Sequence, residues 1–365
     1  MENKTYLVEI TPIGSYFFGG ENTFNSVDKS TNDGQIRNYL VRSRMFPQQT
    51  TVLGLLRYVF LVKEGILGGT PEEKKSLIGT TGFMGDEPGA STQWGKISRI
   101  SSLFLLNGNK KFVVAGQDHQ FYTDRNHESP VCLAKSDNDN ITFSFSRTAN
   151  SFYTNLDPKH YASILWKEVS EDHWLSPEDV FVESFQVGIT KSFSGNVEDD
   201  SYYKQFFYKL KKGFSFGCYL TTSYFNAGEQ PGAVIVPFGA DQSLFRISFK
   251  EEKELLFGEG DIPAGKVKVT LLSDAYCRPE ILEEVNLAIT NTVDFRFIKT
   301  NVHTRRYYNI SSKADDMQKS SKINLLERGS VLITDRPQPI IDELKSYQVY
   351  RNAGFNQFKI EQLTF

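Results

Sequence analysis

The sequence predicts an α+β protein made of two similar units, each of the split-βαβ type. Three observations lead to this prediction. Aromatic residues make up 13% of the chain and stand in short alternating runs, which favours sheets. One strongly apolar segment at residues 52–61 has the character of a buried helix. The order strand, helix, hairpin, strand then starts again near Phe185, and 365 residues are enough for two domains with real cores.

A strand and a glycine turn open the chain. Residues 6–13 alternate apolar and polar side chains, as a strand with one buried face does. Gly14 ends this strand, and an aromatic run then leads into Gly19 and Gly20. Paired glycines let another backbone come close, so we expect a turn with an accessible main chain. The polar composition of residues 23–35 predicts a long loop.

Residues 42–61 read RSRMFPQQTTVLGLLRYVFL and predict the first helix. Pro47 ends the preceding secondary-structure element. Either Thr50 or Thr51 can then cap the first free N–H groups of the helix. The apolar residues at 52–61 cover too much of the helix circumference for a surface helix. We therefore expect a helix that lies in the core and ends near Gly65.

The remaining elements follow from periodicity and from turn residues. Asn107-Gly108 between two apolar runs predicts a hairpin over residues 96–115, and Lys212-Gly213 predicts a second hairpin that opens at Tyr202. We expect further strands at residues 180–189, 234–238, 243–249, 266–272, 295–299, 329–334 and 358–365. Helices are predicted around residues 72–75 and at 158–169, 279–289 and 337–346. Loops are predicted at 68–94 and 191–201, and residues 117–140 form a polar stretch that contains histidine.

Positive charge is concentrated in three segments, although the chain as a whole carries −3. Residues 34–63, 191–212 and 296–328 carry net charges of +5, +2 and +5, which leaves −15 for the rest of the chain. The first segment contains no acid and places Arg42 and Arg44 at a helix N-terminus, an arrangement that suits a phosphate. From that segment alone, an ordinary buried helix with a polar lead-in is the simpler interpretation. The whole distribution indicates a localised polyanion site.

Cysteine and histidine usage argues against several classes of protein. The three cysteines lie far apart, form no CxxC pair and are odd in number, which indicates a reducing compartment. Residues 1–14 lack the apolar core of a signal peptide, and no run approaches a membrane span, so we expect a cytoplasmic protein. No nucleotide-loop or nucleophile motif occurs, and we expect no cofactor. His119 and His127 with Asp118 and Asp124 invite a metal interpretation, but no further ligand cluster supports it, and we expect no metal.

Several stretches resemble, in order along nearly the whole chain, the RAMP proteins of CRISPR effector complexes. Residues 16–21 (YFFGGE) and 43–57 (SRMFPQQTTVLGLLR) are similar to the N-terminal signature of that superfamily. Within it the chain is most similar to the third subunits of the type III-B (Cmr) complex. Further similarities lie at residues 187–189 (VGI), 198–203 (EDDSYY), 328–331 (RGSV) and 354–356 (GFN). The chain departs from the pattern at residues 238–241, where a single glycine stands in place of the usual glycine-rich turn.

The resemblance implies two ferredoxin-like (RRM-related) domains, at residues 1–184 and 185–365, with long inserted loops and β-hairpins. It implies a non-catalytic subunit that grips the 5′ repeat-derived handle of the CRISPR RNA in antiviral defence. It also implies that this subunit docks the large polymerase/nuclease subunit onto the backbone RAMP subunits, with indirect contact to target RNA and none to a membrane. Single-stranded RNA is held by base stacking on aromatics and by backbone amides, which suits the aromatic and glycine-rich turns.

The residues expected to bind RNA make three kinds of contact. Glycine turns let the RNA backbone approach closely, cationic side chains bind phosphates, and amide side chains form hydrogen bonds with base edges. The predicted set comprises Phe18, Gly19, Gly20, Arg42, Ser43, Arg44, Gln48, Gln49, Thr50, Arg57, Lys191, Lys204, Lys209, Arg305, Arg306 and Asn356. Arg57 stays open between an RNA-binding rim and a structural ion pair.

Two other functions are alternatives. Some RAMP relatives cut CRISPR RNA without a metal, through acid–base chemistry of His, Tyr or Lys. In this chain His303 would act as the base of such an endoribonuclease and Arg306 would stabilise the oxyanion. Paired aromatic residues also suit a carbohydrate- or protein-binding β module, but such a module leaves the acid-free basic segment unexplained.

Overall fold

The computed structural model describes residues 2–27, 36–79, 94–120, 131–132, 134–137, 140–143, 145–148, 151–154, 164–191, 197–226, 231–239, 241–252, 256, 262–297 and 320–362. The strands, in chain order, are β1 (Lys4–Pro12), β2 (Gly19–Val27), β3 (Ile36–Ser43), β4 (Ile97–Ile100), β5 (Phe104–Asn107), β6 (Lys110–Val114), β7 (His119–Gln120), β8 (Val131–Cys132), β9 (Ala134–Asp137), β10 (Asn140–Phe143), β11 (Phe145–Thr148), β12 (Ser151–Thr154), β13 (Trp166–Glu168), β14 (Trp174–Leu175), β15 (Phe181–Lys191), β16 (Val197–Leu210), β17 (Phe214–Thr222), β18 (Val234–Phe238), β19 (Ser243–Glu251), β20 (Val267–Leu271), β21 (Leu287–Ile289), β22 (Thr292–Phe295), β23 (Ile323–Leu326), β24 (Val331–Thr334) and β25 (Phe358–Gln362). The helices are α1 (Gln49–Lys63), α2 (Pro71–Ile78), α3 (Pro177–Val180), α4 (Pro337–Ser346) and α5 (Gln348–Asn352), with a 3-10 helix at Pro279–Glu284. None of the helices in these ranges is long and apolar enough to cross a membrane.

The main sheet is antiparallel and runs in the order β14-β13-β6-β5-β17-β1-β19-β18, with β4 also paired to β17. Strand β1 buries every second side chain, Tyr6, Val8 and Ile10, as its alternating sequence predicts. Val8 pairs with Cys218 of β17 and with Phe249 of β19. Because these two strands follow residue 184, the main sheet draws on both sides of the expected domain boundary, which stays a prediction.

Helix α1 lies in the main hydrophobic core. The seven valine, leucine and phenylalanine residues between Val52 and Leu61 are all buried, as predicted, and Phe60 stacks on Tyr224 with ring centroids 4.0 Å apart. The predicted threonine cap is wrong: Gln48 is the N-cap residue, it makes no side-chain cap, and both threonines lie inside the helix. The helix start is fixed instead by the buried side chain of Gln49, described below.

The hairpin sheet has the order β15-β16-β3-β2. Strands β15 and β16 pair from Phe181 with Leu210 as far as Lys191 with Val197, and β3 joins β16 in parallel. The predicted polar loops at 23–35 and 191–201 are therefore wrong for residues 23–27 and 197–201, which lie in strands; residues 28–35 and 192–196 lie outside the described ranges. Pairing with a neighbouring strand outweighs local polarity, because strand preference depends on context.

The chain turns sharply at Gly213, whose φ is +92°. The hairpin predicted around this glycine is wrong, because β16 enters the hairpin sheet while β17 enters the main sheet. The hairpin predicted at Gly108 is formed by β5 and β6. The two strands predicted on either side of Gly239 are present as β18 and β19, and they pair with each other. A glycine turn thus predicts a change of direction but not the pairing of the strands that flank it.

The C-terminal sheet, in the order β21-β24-β20-β25, packs on α4 around a second core. Val267 and Val269 of β20 and Ile340 and Leu344 of α4 are fully buried there. Helix α4 has the predicted bounds. The order of elements confirms a mixed α/β protein with mostly antiparallel sheets and few helices, and the division into two ferredoxin-like domains stays a prediction.

Three shorter predictions are wrong. The segment predicted as a helix at 279–289 is a 3-10 helix that ends at Glu284 and is followed by β21. The segment predicted as a helix at 158–169 contains strand β13, while its residues 158–163 lie outside the described ranges. The strand predicted at 295–299 ends at Phe295 as β22. A three-residue or four-residue strand is too short for periodicity to identify.

A group of buried hydrogen bonds, which we call the junction, joins the start of α1 to the loop before β25. The Gln49 side chain is 1% exposed, and its Nε2 donates to the carbonyls of Ser101 and Gly354, both at 3.0 Å. Beside it, Gln357 Oε1 accepts from the Ser102 N–H at 3.3 Å. Gly354 has a φ of +89°, and a Cβ there would lie 2.4 Å from the carbonyl oxygen of Ser101.

Replacing Gly354 by alanine tests the packing of the junction. The new methyl group would collide with the Ser101 backbone, and the left-handed φ adds strain. We expect Gly354→Ala to lower the free energy of unfolding by about 2–5 kcal/mol. Urea denaturation followed by circular dichroism measures this change.

Gly108→Ala is the matched control, because its φ is also positive (+60°) and nothing lies within 4 Å of the new Cβ. This variant carries the backbone strain alone, about 1 kcal/mol. Equal losses at the two glycines would contradict the close packing of the junction.

Candidate nucleic-acid interface

Alternation along β16 gives the hairpin sheet two chemically different faces. Lys204 and Phe206 point to one face, and Phe207 and Lys209 point to the other. Pairing places Phe185 opposite Phe206 and Val187 opposite Lys204, while β3 places Arg42 beside Phe206. We call the first side the cation–aromatic face; it consists of Arg42, Glu183, Phe185, Val187, Lys204 and Phe206.

Cations lie directly over the rings of the cation–aromatic face. The Lys204 ammonium is 3.9 Å from the Phe185 ring centroid and 4.7 Å from that of Phe206. The Arg42 guanidinium lies 4.5 Å from the Phe206 centroid. Phe185 is 57% exposed, which is unusual for phenylalanine, whereas Phe206 is buried beneath the two cations. An exposed ring beside one cation, with a second cation over the neighbouring ring, offers both a stacking surface and phosphate contacts.

The one carboxylate on this face binds Arg42 only weakly. Glu183 Oε1 lies 3.5 Å from Arg42 Nη1, and both side chains are at least 40% exposed. Exposed ion pairs contribute at most about 1 kcal/mol, so Arg42 can exchange this partner for a phosphate at small cost. Burial raises the pKa of the neighbouring Tyr208 hydroxyl, with Glu183 adding to the rise, so this group stays neutral.

Lys209 lies on the opposite side of the sheet from Lys204. Its neighbour Phe207 packs against Phe17 with ring centroids 5.8 Å apart, so that side is partly closed by the core. The sequence predicted a phosphate contact for both lysines. In the structure they point to opposite faces of the sheet, because side chains alternate along a strand and the two residues are five positions apart.

The stretch from Phe18 to Arg44 is held by local hydrogen bonds. The Phe18 N–H donates to Ser43 Oγ at 2.9 Å, and the Ser43 hydroxyl donates to the Arg44 carbonyl at 2.9 Å. The Phe18 ring is buried against Phe238 and is not available for stacking by RNA. Gly19 is exposed on β2 opposite Ser43. Gly20 follows in the same strand.

Arg44 reaches an ionic cluster between the main core and the C-terminal sheet. Its Nη2 donates to the Asp294 carbonyl at 3.5 Å. Nearby, Arg328 binds both carboxylate oxygens of Asp274 at 3.2 and 3.3 Å and lies 5.1 Å from the centroid of Phe46. Burial acts to raise the pKa of Asp274, but Arg328 outweighs it and holds that pKa below its ordinary value.

Glu327 lies beside the same cluster and is affected in the opposite direction. Its burial, and then the charge of Asp274, raise the pKa of Glu327 above its ordinary value. Arg328 and Arg44 oppose the rise without reversing it. Two adjacent carboxyl groups therefore have pKa values that are pushed apart.

Three further predicted residues have buried side chains. Gln49 belongs to the junction, and Arg57 is 7% exposed with its guanidinium 6.0 Å from the Trp94 ring centroid. Asn356 is 1% exposed, donates to the carbonyls of Tyr276 and Leu344, and accepts from the Tyr276 N–H. Each of these buried side chains contacts other parts of the fold rather than solvent. Gln48 and Thr50 are half-buried at the start of α1.

Some predicted residues are described only in part. Arg305, Arg306 and His303 lie outside the described ranges, and Lys191 is described as the last backbone position of β15. Sequence reasoning missed Phe185 and Phe206, which carry the cation–aromatic face. The signal was present in the alternation of residues 204–209, which separates Lys204 and Phe206 from Lys209.

In the part of the chain that the structure describes, no group of three or more His, Cys, Asp or Glu side chains is placed to hold a metal ion. His119 Nδ1 lies 2.7 Å from Asp118 Oδ1, and Asp118 Oδ2 lies 3.2 Å from Lys268 Nζ. Lysine is no ligand for a cation, so this cluster is an ion pair between β20 and the loop after β6. His127 and Asp124 lie outside the described ranges.

Comparison with known proteins gives a family and a fold. Residues 8–360 match the family model described as CRISPR-associated protein (Cas_Cmr3). No curated protein matches the chain. A chain in the cryo-EM structure of the type III-B Cmr-beta bound to cognate target RNA and AMPPnP, state 1, has 12% identity and a TM-score of 0.51, over 96% of this chain and 95% of that chain. A chain in the type III-B Cmr-beta bound to cognate target RNA has 13% identity and a TM-score of 0.49, over 96% of each chain.

The two carboxyl groups of the ionic cluster predict opposite effects on stability. Because the pKa of Asp274 is lowered in the folded protein, its ionised form stabilises the fold above its ordinary pKa, and this contribution is lost as the pH falls through the folded value. Because the pKa of Glu327 is raised, its ionised form costs stability at neutral pH, and this cost disappears below its ordinary pKa. At pH 7, Asp274→Asn should lower the free energy of unfolding by about 3–5 kcal/mol. Glu327→Gln should raise the melting temperature.

Melting temperatures of both variants between pH 3.5 and pH 8 check these signs. The effect of Asp274→Asn should shrink towards low pH, and that of Glu327→Gln should vanish there. A shift of both variants in the same direction at pH 7 would show that the two carboxyl groups do not have opposed environments.

Proposed function

The chain belongs to the Cas_Cmr3 family of CRISPR-associated proteins, as its motifs predict, and we propose that it is the RNA-binding subunit of a type III-B CRISPR effector complex that grips the 5′ handle. In this role it is non-catalytic and holds the repeat-derived handle of the CRISPR RNA during antiviral defence. The family match over residues 8–360 supports the complex. The cation–aromatic face supports the contact with RNA.

The proposed partners are the large polymerase/nuclease subunit and the backbone RAMP subunits of the same complex, with target RNA contacted indirectly. The proposal includes two ferredoxin-like, RRM-related domains, whose sheets present their exposed faces to RNA and to neighbouring subunits. Val187 and Phe185, both about half exposed, give the hairpin sheet an apolar area that RNA bases or a subunit can cover.

The observation that carries the proposal is the exposed Phe185 ring on the edge strand β15, beside the Lys204 ammonium of β16. A splayed base stacks on this ring, and the phosphates on either side of it meet Lys204 and Arg42. Lys204 lies over the ring in the RNA-free chain and moves from the ring to a phosphate when a base arrives. This exchange costs little, because a charged hydrogen bond to phosphate replaces an exposed cation–π contact.

The path of the RNA backbone continues from Arg42 along β3. There Gly19 of β2 pairs with Ser43, and the absence of a side chain on Gly19 leaves the strand open to a phosphate. Gln48 and Thr50 at the start of α1 lie at the end of the same stretch. Arg44 contacts the ionic cluster instead of the exposed face. We therefore assign Arg44 a role in positioning the backbone of this path rather than in binding a phosphate.

Reversing both charges of the face tests the phosphate contacts. We expect Arg42→Glu combined with Lys204→Glu to weaken binding of handle RNA at least tenfold at low salt, because two phosphate contacts become repulsive. The slope of log K against log salt should become shallower by about 1.4, since each contact to single-stranded RNA contributes about 0.7. Fluorescence polarisation with labelled handle RNA between 50 and 300 mM salt measures both quantities.

Lys209→Glu is the control for this experiment, because it changes a charge on the same strand but on the opposite face. It should retain nearly all of the affinity and the original salt slope. If Lys209→Glu is as harmful as the double variant, general charge explains binding. If the double variant binds like the unmodified chain, the face is not the RNA site.

Removing the exposed ring tests the stacking contact separately. Phe185→Ala should cost about 1–3 kcal/mol of binding free energy with an unchanged salt slope, because stacking releases no counterions. Val182→Ala is the control, as this side chain is also exposed on β15 but points to the other face. Equal affinities of the two variants for handle RNA would exclude stacking on Phe185.

A further inference from the structure

Strand β15 forms an open edge of the hairpin sheet. It is 11 residues long, and it pairs with β16 on one side, while no strand of the described ranges pairs with its other side. Val182, Phe185 and Val187 are exposed along it, at 45%, 57% and 49%. A long edge with exposed apolar side chains is a place where another strand adds to a sheet.

The other edges in the described part of the chain are protected against such pairing. Strand β18 contains Pro237, which has no N–H group, and β2 has two register shifts in its pairing with β3. Strand β25 has five residues and an exposed lysine, Lys359, and the remaining edge strands have four residues or fewer. In β15 there is no proline, Glu183 is the one charged residue before Lys191, and the register shift lies at the far end. Natural sheets protect their edges, so this unprotected one indicates a site for a partner.

The hydrogen bonds of the hairpin show which backbone groups of β15 face the open side. The Lys211 N–H donates to the Val180 carbonyl at 2.8 Å, one position before the ladder of β15 and β16 begins. Bonded and non-bonded pairs alternate along an antiparallel ladder, so the even-numbered residues of β15 bond to β16. The N–H and C=O groups of Glu183, Phe185 and Val187 therefore point away from β16, where an added strand can bond to them.

We propose that β15 binds an extended segment of a partner protein, which adds to the four-stranded hairpin sheet as one more strand and carries acidic side chains. Main-chain hydrogen bonds to β15 hold this segment, and its apolar side chains pack beside Val182 and Val187. The edge is available whether or not RNA occupies the cation–aromatic face, because the bonding groups of the edge lie in the plane of the sheet.

The charge next to the edge selects acidic side chains in the added strand. Lys209 is exposed and lies opposite Val182, on the face that does not carry Phe185. Strands lie about 4.8 Å apart, so an added strand runs about 10 Å from the backbone of Lys209. The flexible four-carbon stem of lysine can span this gap towards a glutamate on the same face.

A second copy of the chain fits this edge less well. Antiparallel self-pairing about Phe185 would bring two Lys204 ammonium groups to the same face, because each lies 3.9 Å from the centroid of its own Phe185 ring. Like charges beside one another destabilise a pair of strands. An acidic segment of another protein has no such conflict.

A phage-displayed library of random peptides of about nine residues, the length of a long strand, tests the proposal. We expect enriched peptides that contain aspartate or glutamate and bind the chain at one site. Val187→Pro should weaken their binding about tenfold, because it removes an outward N–H group that proline on an edge strand can lack without loss of the fold. Val187→Ala is the matched control, because it loses the same apolar side chain but keeps the N–H group.

Lys209→Glu should also weaken the acidic peptides about tenfold, whereas Lys75→Glu, the same change at an exposed lysine of α2, should not. Bound peptide should slow hydrogen exchange at the N–H groups of Glu183, Phe185 and Val187. Enrichment of no peptide, equal binding by Val187→Pro and Val187→Ala, or protection confined to other strands would overturn the proposal. A dimer in analytical ultracentrifugation that Val187→Pro dissociates would also overturn it, because the edge would then belong to a second copy.

Discussion

The structure depends on the buried amide of Gln49 at the first residue of α1. Its two hydrogen bonds, to Ser101 and Gly354, join the main core to the loop before the last strand. Because a buried N–H group without an acceptor is costly, the two bonds of Gln49 Nε2 leave the start of α1 and the Gly354 loop little freedom to separate. The start of α1 is also the end of the path from β3, so the same bonds fix the backbone that follows Arg42 and Arg44. The ionic cluster of Arg328 and Asp274 supports this arrangement from the side.

Much of the architecture could be predicted from the sequence because it is local. The apolar residues of α1 predict a buried helix, the Asn107-Gly108 turn predicts the β5–β6 hairpin, and α4 has its predicted bounds. Non-local pairing could not be predicted. Strand β3 pairs in parallel with β16, more than 160 residues further along the chain, and the sequence of neither segment identifies the other as its partner. The sequence likewise gives no reason for β16 and β17 to enter different sheets at Gly213.

The candidate site was predicted in outline and not in detail for the same reason. Arg42 and Lys204 are surface cations in basic segments, and both lie on the cation–aromatic face. The polarity of a residue does not show whether its side chain lies at the surface or makes buried hydrogen bonds. Gln49 and Asn356 were therefore predicted to bind RNA, although their hydrogen bonds lie inside the fold. The reverse holds for Phe185: an aromatic residue in a strand suggests core, and its exposure follows only from its position on an edge strand.

The fold combines a rigid support with an exposed binding surface. The junction and the ionic cluster fix the main chain, and the hairpin sheet presents one ring and two cations without the need to refold on binding. Photo-crosslinking measures this most directly: handle RNA with 4-thiouridine at single positions is bound, irradiated and mapped on the protein by mass spectrometry. The account predicts crosslinked peptides that contain Phe185 or Phe206 together with Lys204. Crosslinks confined to other parts of the chain, with none in β15 or β16, would contradict it.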